Sequence, residues 1–280
     1  MDTSTHRNLE RKGLLTYIRQ TGLLITTSDE DEMSEKVVLV TGALAGIGRA
    51  TAQAFARDGW SVVVSGRREQ EGQAFAAELR GLGTKAEFIR ADVSHEDDVE
   101  ALIDGSVEAF GRLDAAVNNA GNTGTPGALT TITDEAYNAV FDTNVRGLLF
   151  SLKHELRVMT EQGFGSIVNL SSTFGERGGR GAGLYVASKH AVNGFTRTAA
   201  LEVADKGIRI NAIAPGPVST GGLDRFAGGE AAAASLAAGV PMGRIGHVDE
   251  IADVIKFLVS DDARFLTGQI VAVNGGKTAA

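Results

Sequence analysis

Cysteine is absent from the 280 residues. Its absence excludes disulfides and thiolate metal sites, and nothing else argues for an oxidising compartment. Positive charge is in deficit, because 27 Lys and Arg stand against 35 Asp and Glu for a net charge of -8. An acidic surface repels phosphate backbones, so nucleic acid is not an expected partner. No apolar run reaches the ~20 residues of a membrane-spanning helix. No membrane association is therefore expected, and the expected compartment is the cytoplasm. Proline occurs only four times and tryptophan once. The five histidines are scattered, and His190, beside Lys189, is read as solvated or packed. No metal site is expected. What is present is ordinary for a globular enzyme: 43% hydrophobic and 22% charged residues. The length allows one large α/β domain with a substantial core.

Residues 1–34 differ from the rest. They mix Arg7, Arg11, Lys12 and Arg19 with Leu14, Leu15, Tyr17, Ile18, Leu23, Leu24 and Ile25, and end in an acidic run before Met33. They have neither the long apolar centre nor the small-residue cleavage site of a signal peptide. The expectation is a disordered N-terminal extension, or a start at Met33.

From Lys36 onward, short β-branched runs alternate with longer amphipathic segments. Strands are expected at 37–40, 62–65, 85–90, 113–117, 166–170, 209–214 and 269–273. Helices are expected at 47–58, 68–81, 96–110, 134–159, 184–205 and 248–259. Thr133 is a candidate N-cap, with Asp134 and Glu135 in the first turn behind it. The 36 glycines gather at turns between the apolar runs. This rhythm predicts an α/β fold of Rossmann type. It is a doubly wound parallel sheet of about seven strands with helices on both faces, forming a single domain over 35–280. Strands apolar along their whole length fit a sheet covered on both sides. Ligands in such sheets bind beyond the carboxyl ends of the strands, so the residues after each strand carry the functional information.

After the first strand comes Thr41-Gly42-Ala43-Leu44-Ala45-Gly46-Ile47-Gly48. Glycines there let the backbone turn sharply and approach a pyrophosphate, which the next helix N-terminus would attract. The spacing resembles the T-G-x-x-x-G-x-G turn of the short-chain dehydrogenase/reductase family. Asp92-Val93, Asn118-Asn119-Ala120-Gly121 and Pro215-Gly216 with Thr220 resemble further motifs of that family, in the right order between Lys36 and Gly276. The resemblance implies a nicotinamide cofactor held by Gly42, Leu44, Gly46, Ile47, Gly48, Asp92, Val93, Asn119, Ala120, Gly121, Pro215, Gly216, Val218 and Thr220. The second strand ends in Ser65-Gly66-Arg67-Arg68. An NAD-selecting carboxylate would fall at Gly66 and is missing, while Arg67 suits a 2′-phosphate. NADP is therefore the expected cofactor, with NAD the second choice.

Tyr185 and Lys189 stand four apart on one helix face. A neighbouring ammonium lowers the pKa of a phenol, so Tyr185 is expected to exchange protons near neutral pH. Ser172 lies thirteen residues before Tyr185, the separation at which the family places its catalytic serine; Ser171 is the alternative. By resemblance, Asn144, Ser172, Tyr185 and Lys189 form a catalytic tetrad. In that reading Asn144 holds a water, and Lys189 also binds the nicotinamide ribose. Asn274-Gly275-Gly276 stands where many members have Asp-Gly-Gly.

Residues 219–239 are rich in Gly and Ala and read as a substrate loop. Asn122, Thr123, Thr173, Phe174, Leu223 and Phe226 are candidate pocket walls, and Arg177, Arg180 and Arg225 could reach a polar substrate tail. The expected substrate is a small carbonyl compound or alcohol, such as a ketone, a secondary alcohol, a sugar-like polyol or a 3-oxoacyl group. A non-catalytic NAD(P) sensor would share the fold but has no use for the tetrad. An epimerase of the superfamily would add a larger C-terminal domain, and enoyl reductases usually space tyrosine and lysine by six. The resemblance also implies a homotetramer or homodimer built on the two long helices.

Overall fold

The computed structural model describes residues 35–220 and 235–279. The N-terminal extension and most of the expected substrate loop, with Leu223, Arg225 and Phe226, lie outside the described residues. Seven strands form one sheet: β1 (Val37–Thr41), β2 (Ser61–Gly66), β3 (Ala86–Arg90), β4 (Ala115–Asn118), β5 (Gly165–Leu170), β6 (Ile208–Pro215) and β7 (Ile270–Val273). All pairings are parallel, and the order is β3-β2-β1-β4-β5-β6-β7. The helices are α1 (Gly46–Arg57), α2 (Glu69–Arg80), α3 (Glu96–Phe110), α4 (Asp134–Phe141), α5 (Gly147–Gln162), α6 (Gly183–Val203) and α7 (Val248–Val259).

Alternate strand residues point to opposite faces, and both faces of β1 are apolar. Val38 and Val40 join Phe55 of α1, Phe75 and Leu79 of α2, and Ile251, Ile255 and Leu258 of α7 in one core layer. Val37 and Leu39 join Val99, Leu102 and Ile103 of α3, Leu148 and Leu152 of α5, and Val192 and Ala199 of α6 in the other. The unbroken apolar character of the strands follows from this double cover. After β1 the chain moves outward to β2 and β3, then returns across β1 to build β4 through β7. The loops after β1 and β4 therefore leave in opposite directions and open a crevice between them.

Most element boundaries fall within two residues of expectation. The long helix expected over 134–159 departs from it, because Asp142–Arg146 form a π-helical turn that separates α4 from α5. The Gly147 N–H bonds the Asp142 carbonyl, five residues back, in place of the usual four. Asn144, at the centre of this turn, is 2% exposed and fixed by hydrogen bonds outside its own helix. Thr133 caps α4 as expected, accepting from the Ala136 N–H at 3.2 Å. The helix expected over 184–205 ends at Val203, followed by a short 3-10 turn to Gly207 at φ 74°.

One buried carboxyl stands apart. Glu155 of α5 is fully buried between α5 and the sheet. Its Oε2 accepts from the Asn118 Nδ2 at 3.0 Å, and its Oε1 has no partner. Burial pushes its carboxyl up to about 7, against the smaller opposing effect of the Asn118 bond. The folded state thus holds a proton that the unfolded chain releases near pH 4.5, so this group's stabilising contribution is lost as pH rises from about 4.5 to 7. Glu155→Gln is expected to flatten that fall and to raise the thermal midpoint at pH 8. A series of melts from pH 5 to 8 checks this; parallel curves for the two proteins would contradict it.

Candidate active site

The crevice holds a cavity of about 420 Å³, a size suited to a small-molecule site. Gly42, Ala45, Gly46 and Ile47 line it from the β1 turn and Asn119 to Thr123 from the loop after β4. Ser171 to Phe174 follow β5, and Pro215 to Val218 with Thr220 continue from β6. Tyr185 and Lys189 face it from α6, and Leu236 and Lys277 complete the wall.

The β1 turn needs glycine for two reasons. Gly42 and Gly46 have φ of 62° and 55°, which a side chain would strain. A Cβ at Gly48 would collide with Asn119 Nδ2 and the Gly42 carbonyl. Asn119 donates to the Thr41 and Gly42 carbonyls at 3.0 and 2.9 Å, tying the two sides of the crevice together. Its amide donors are therefore engaged by protein while the residue lines the cavity. At the start of α1, Ala45 offers no capping side chain. The first-turn N–H groups and the positive helix end face the cavity, an arrangement that receives an anion.

At the end of β2, a Cβ on Gly66 would lie 3.0 Å from the Leu44 side chain, so a larger residue there would displace Leu44. Arg67 is 73% exposed, with Nη1 3.6 Å from Asp92 Oδ2. Arg68 instead pairs with Glu71 at 2.8 Å. Partial burial raises the Asp92 pKa, but the hydroxyl and N–H of Ser94 and the charge of Arg67 outweigh it and hold the carboxyl below its usual value. Val93 is a core residue, and a Cβ on Gly147 would lie 2.8 Å from its Cγ2. Leu44, Gly48, Arg67, Asp92 and Val93 are thus not part of the cavity wall.

Tyr185 is half-buried, with the Phe174 ring edge-on at 6.2 Å. Its phenol is hydrogen-bonded to Ser172. Ser172 Oγ also accepts the Phe174 N–H at 3.2 Å, which leaves its own proton to donate. Ser171 is committed elsewhere, donating to Asn193 Oδ1 at 2.5 Å. The structure therefore directs Ser172, and not Ser171, toward the phenol. Lys189 is 5% exposed; its ammonium lies 5.6 Å from the Tyr185 ring centroid and donates to the Leu170 carbonyl at 2.5 Å. Burial pulls the Lys189 pKa down to about 8.

The expected lowering of the Tyr185 pKa is not what the protein alone produces. Burial holds the phenol above its ordinary value, and the Ser172 hydrogen bond only partly opposes that. The physical reason is desolvation of a would-be phenolate, with the lysine proton directed to a backbone carbonyl.

Asn144 joins these parts. Its Oδ1 accepts from Asn122 N at 2.7 Å, and its Nδ2 donates to Asn122 O at 2.8 Å and to Ser188 Oγ at 2.9 Å. Ser188 in turn donates to the Tyr185 carbonyl at 2.8 Å. Asn144 is thus a brace between the β4 loop and the first turn of α6.

Asn122, Thr123, Thr173 and Phe174 line the cavity as expected. Arg180 is exposed away from it, and His190 is exposed with Nδ1 2.9 Å from the Val186 carbonyl. Sequence reasoning missed Lys277, which reaches the cavity through the turn after β7 with nothing in its local pattern to mark it; Leu236 falls within the expected substrate loop and Pro217 within the expected nicotinamide segment. Among the described residues, no group of His, Asp and Glu could hold a metal ion.

A family model described as enoyl-(acyl carrier protein) reductase matches residues 42–278. A cyclohexanol dehydrogenase of Acinetobacter sp. is 39% identical over 248 residues, covering 89% of this chain and 97% of that protein. A 3-oxoacyl-(acyl-carrier-protein) reductase of Thermotoga maritima is 36% identical over 241 residues, covering 86% and 97%. A crystal structure of an actinorhodin polyketide ketoreductase variant with NADPH superposes with a TM-score of 0.84 at 36% identity, over 88% of this chain and 98% of that one. These likenesses run through the whole crevice from the β1 turn to the turn after β7, and on them the chain belongs to the short-chain dehydrogenase/reductase family.

Proposed function

We propose that this protein transfers a hydride between NADP(H) and a ketone or secondary alcohol, with Tyr185 as general acid and base. The observation that carries this reading is the convergence of Tyr185, Ser172 and Lys189 on one cavity that a helix N-terminus also faces. The residues fit a dinucleotide. Gly42, Gly46 and Gly48 let the turn pack closely on Asn119, Ala120 and Thr220, where a Cβ would be crowded, and a glycine turn before a helix N-terminus suits a pyrophosphate. Arg67 supplies an exposed guanidinium at the end of β2, suited to a 2′-phosphate. Gly216 admits close packing against Asn274 beneath the cavity. When bound, the cofactor supplies the hydride donor or acceptor and, in its oxidised form, a positive charge that favours the Tyr185 phenolate.

The remaining work falls to this chain's own side chains. In reduction, the Tyr185 phenol gives its proton to the carbonyl oxygen while the carbonyl carbon gains the hydride. In oxidation, the phenolate takes the alcohol proton as the hydride leaves the same carbon. Ser172 donates to the substrate oxygen and stabilises its developing charge. Lys189, already desolvated, offsets the negative charge left on Tyr185. Asn144 positions Asn122 and α6. The named alcohols and ketones of the relatives support C=O and CH–OH chemistry. The Tyr185–Lys189 spacing of four also favours this over the enoyl reduction in the family description.

The exposed apolar residues Tyr137 and Leu149 on α4 and α5, and Leu201 at 84% exposure on α6, support a homotetramer or homodimer built on these helices. The cytoplasm is the compartment proposed for it. Static light scattering is expected to give a dimer or tetramer; a stable monomer near 29.2 kDa would refute the assembly. Tyr185→Phe is expected to reduce kcat for cyclohexanone with NADPH by roughly 100-fold or more while leaving the NADPH Kd unchanged. Steady-state rates with a parallel binding titration test this, and retained turnover would remove Tyr185 as the proton donor.

A further inference from the structure

The cavity wall carries no carboxylate among the described residues, and its two cations are Lys189 and Lys277. Lys189 is committed to Leu170 beneath Tyr185. Among the described residues, no hydrogen bond commits the Lys277 ammonium and no Asp or Glu pairs with it. Its place in the wall is built. Beyond β7, the Asn274 Oδ1 accepts the Gly276 N–H at 3.0 Å, and the Lys277 N–H donates to the Asn274 carbonyl at 3.2 Å. Gly275 and Gly276, at φ 62° and 87°, let the chain turn back. Asn274 also packs against Gly216, whose added Cβ would lie 2.9 Å from the Asn274 Cα. The turn that carries Lys277 is thereby seated on the loop that follows β6.

A second cation meets this turn from the other side. Arg177 follows the Ser172–Phe174 segment, and its Nη1 donates to the Lys277 carbonyl at 3.4 Å. Its Nε is buried without a partner. Partial burial and, after it, the charge of Arg177 hold the Lys277 pKa below its ordinary value. Two like charges thus meet beside a cavity without an acidic residue to offset them among the described residues. Partial burial without a counter-charge among the described residues disfavours the Lys277 cation, and an anion arriving with the substrate relieves that cost. Glycine-rich turns and a helix end already provide for the anions of a dinucleotide at the β1 turn.

We propose that Lys277, braced by Arg177, determines substrate specificity by binding a carboxylate carried on the same molecule as the reacting carbonyl or alcohol. This rests on the hydride-transfer reading above. Lys277 acts as a point charge on a flexible stem, so it accepts a range of carboxylate positions. Arg177 is a positioning residue that acts through the Lys277 backbone.

The test compares 4-oxocyclohexanecarboxylate with 4-methylcyclohexanone, similar in size and different in charge, at saturating NADPH. The wild-type protein is expected to favour the carboxylate in kcat/KM. Lys277→Met is expected to lower kcat/KM for the carboxylate roughly tenfold to a hundredfold, chiefly through KM, and to lower it far less for the neutral ketone, with the NADPH Kd little changed. Lys277→Arg is expected to restore the preference. Preference for the neutral ketone in the wild type, equal losses on both substrates, or a weakened NADPH Kd in Lys277→Met would overturn the proposal. If neither ketone is reduced, the hydride-transfer reading is what has failed. Calorimetric titration of cyclohexanecarboxylate into the protein with NADP then decides this inference separately. Binding that Lys277→Met abolishes upholds it, and no binding, or binding the variant retains, overturns it.

Discussion

The site depends on Asn144. The helix expected over 134–159 gives way to a π turn here, and the side chain makes three hydrogen bonds beyond it. Two of them hold Asn122, which aligns the loop after β4. The third holds Ser188, which carries the first turn of α6 and the Tyr185 backbone with it. Gly121 lies between, where a Cβ would be 3.5 Å from Asn144 Oδ1 and 3.8 Å from Lys189 Nζ. Buried amides bonded on both polar atoms rigidify what they touch. Loss of Asn144 would therefore release the loop and the start of α6 together.

Electrostatics divides the cavity into two ends. Toward the β1 turn, free helix N–H groups and glycine backbone favour phosphate. Toward Tyr185, burial dominates: it depresses the Lys189 pKa to about 8 and elevates that of the phenol. The protein alone therefore keeps Tyr185 protonated and ready to donate. A second positive charge is needed to favour the phenolate, and the oxidised cofactor is the group that brings one. Proton transfer in the oxidising direction is thereby coupled to cofactor state: desolvation raises the phenol pKa, and the charge of the oxidised cofactor opposes it.

Much of this was legible before any coordinates. The alternation of β-branched and amphipathic segments predicted the seven strands and the parallel sheet, because a doubly covered sheet leaves every strand apolar on both faces. The glycine turn, Ser172, Tyr185 and Lys189 were legible because each sits directly after a strand or in a helix turn, at a short and characteristic spacing. The π turn was not, since nothing in Asp142-Thr143-Asn144 distinguishes a broken helix from a regular one; only the partners at Asn122 and Ser188 do. Nor was the raised Tyr185 pKa, because spacing reports proximity and not desolvation. Lys277 escaped notice because its role comes from a turn folded back onto Gly216, a contact between residues 58 apart or more.

The central claim is that this crevice takes NADP(H), gripped at the 2′-phosphate by Arg67 and used for hydride transfer beside Tyr185. The most direct test is a fluorescence titration of the purified wild-type protein and of Arg67→Ala with NADPH and NADH. The account predicts tighter binding of NADPH by the wild type, and a loss in Arg67→Ala of roughly tenfold for NADPH with little change for NADH. Equal losses for both nucleotides would contradict phosphate recognition by Arg67, and binding of neither by folded protein would contradict the account as a whole.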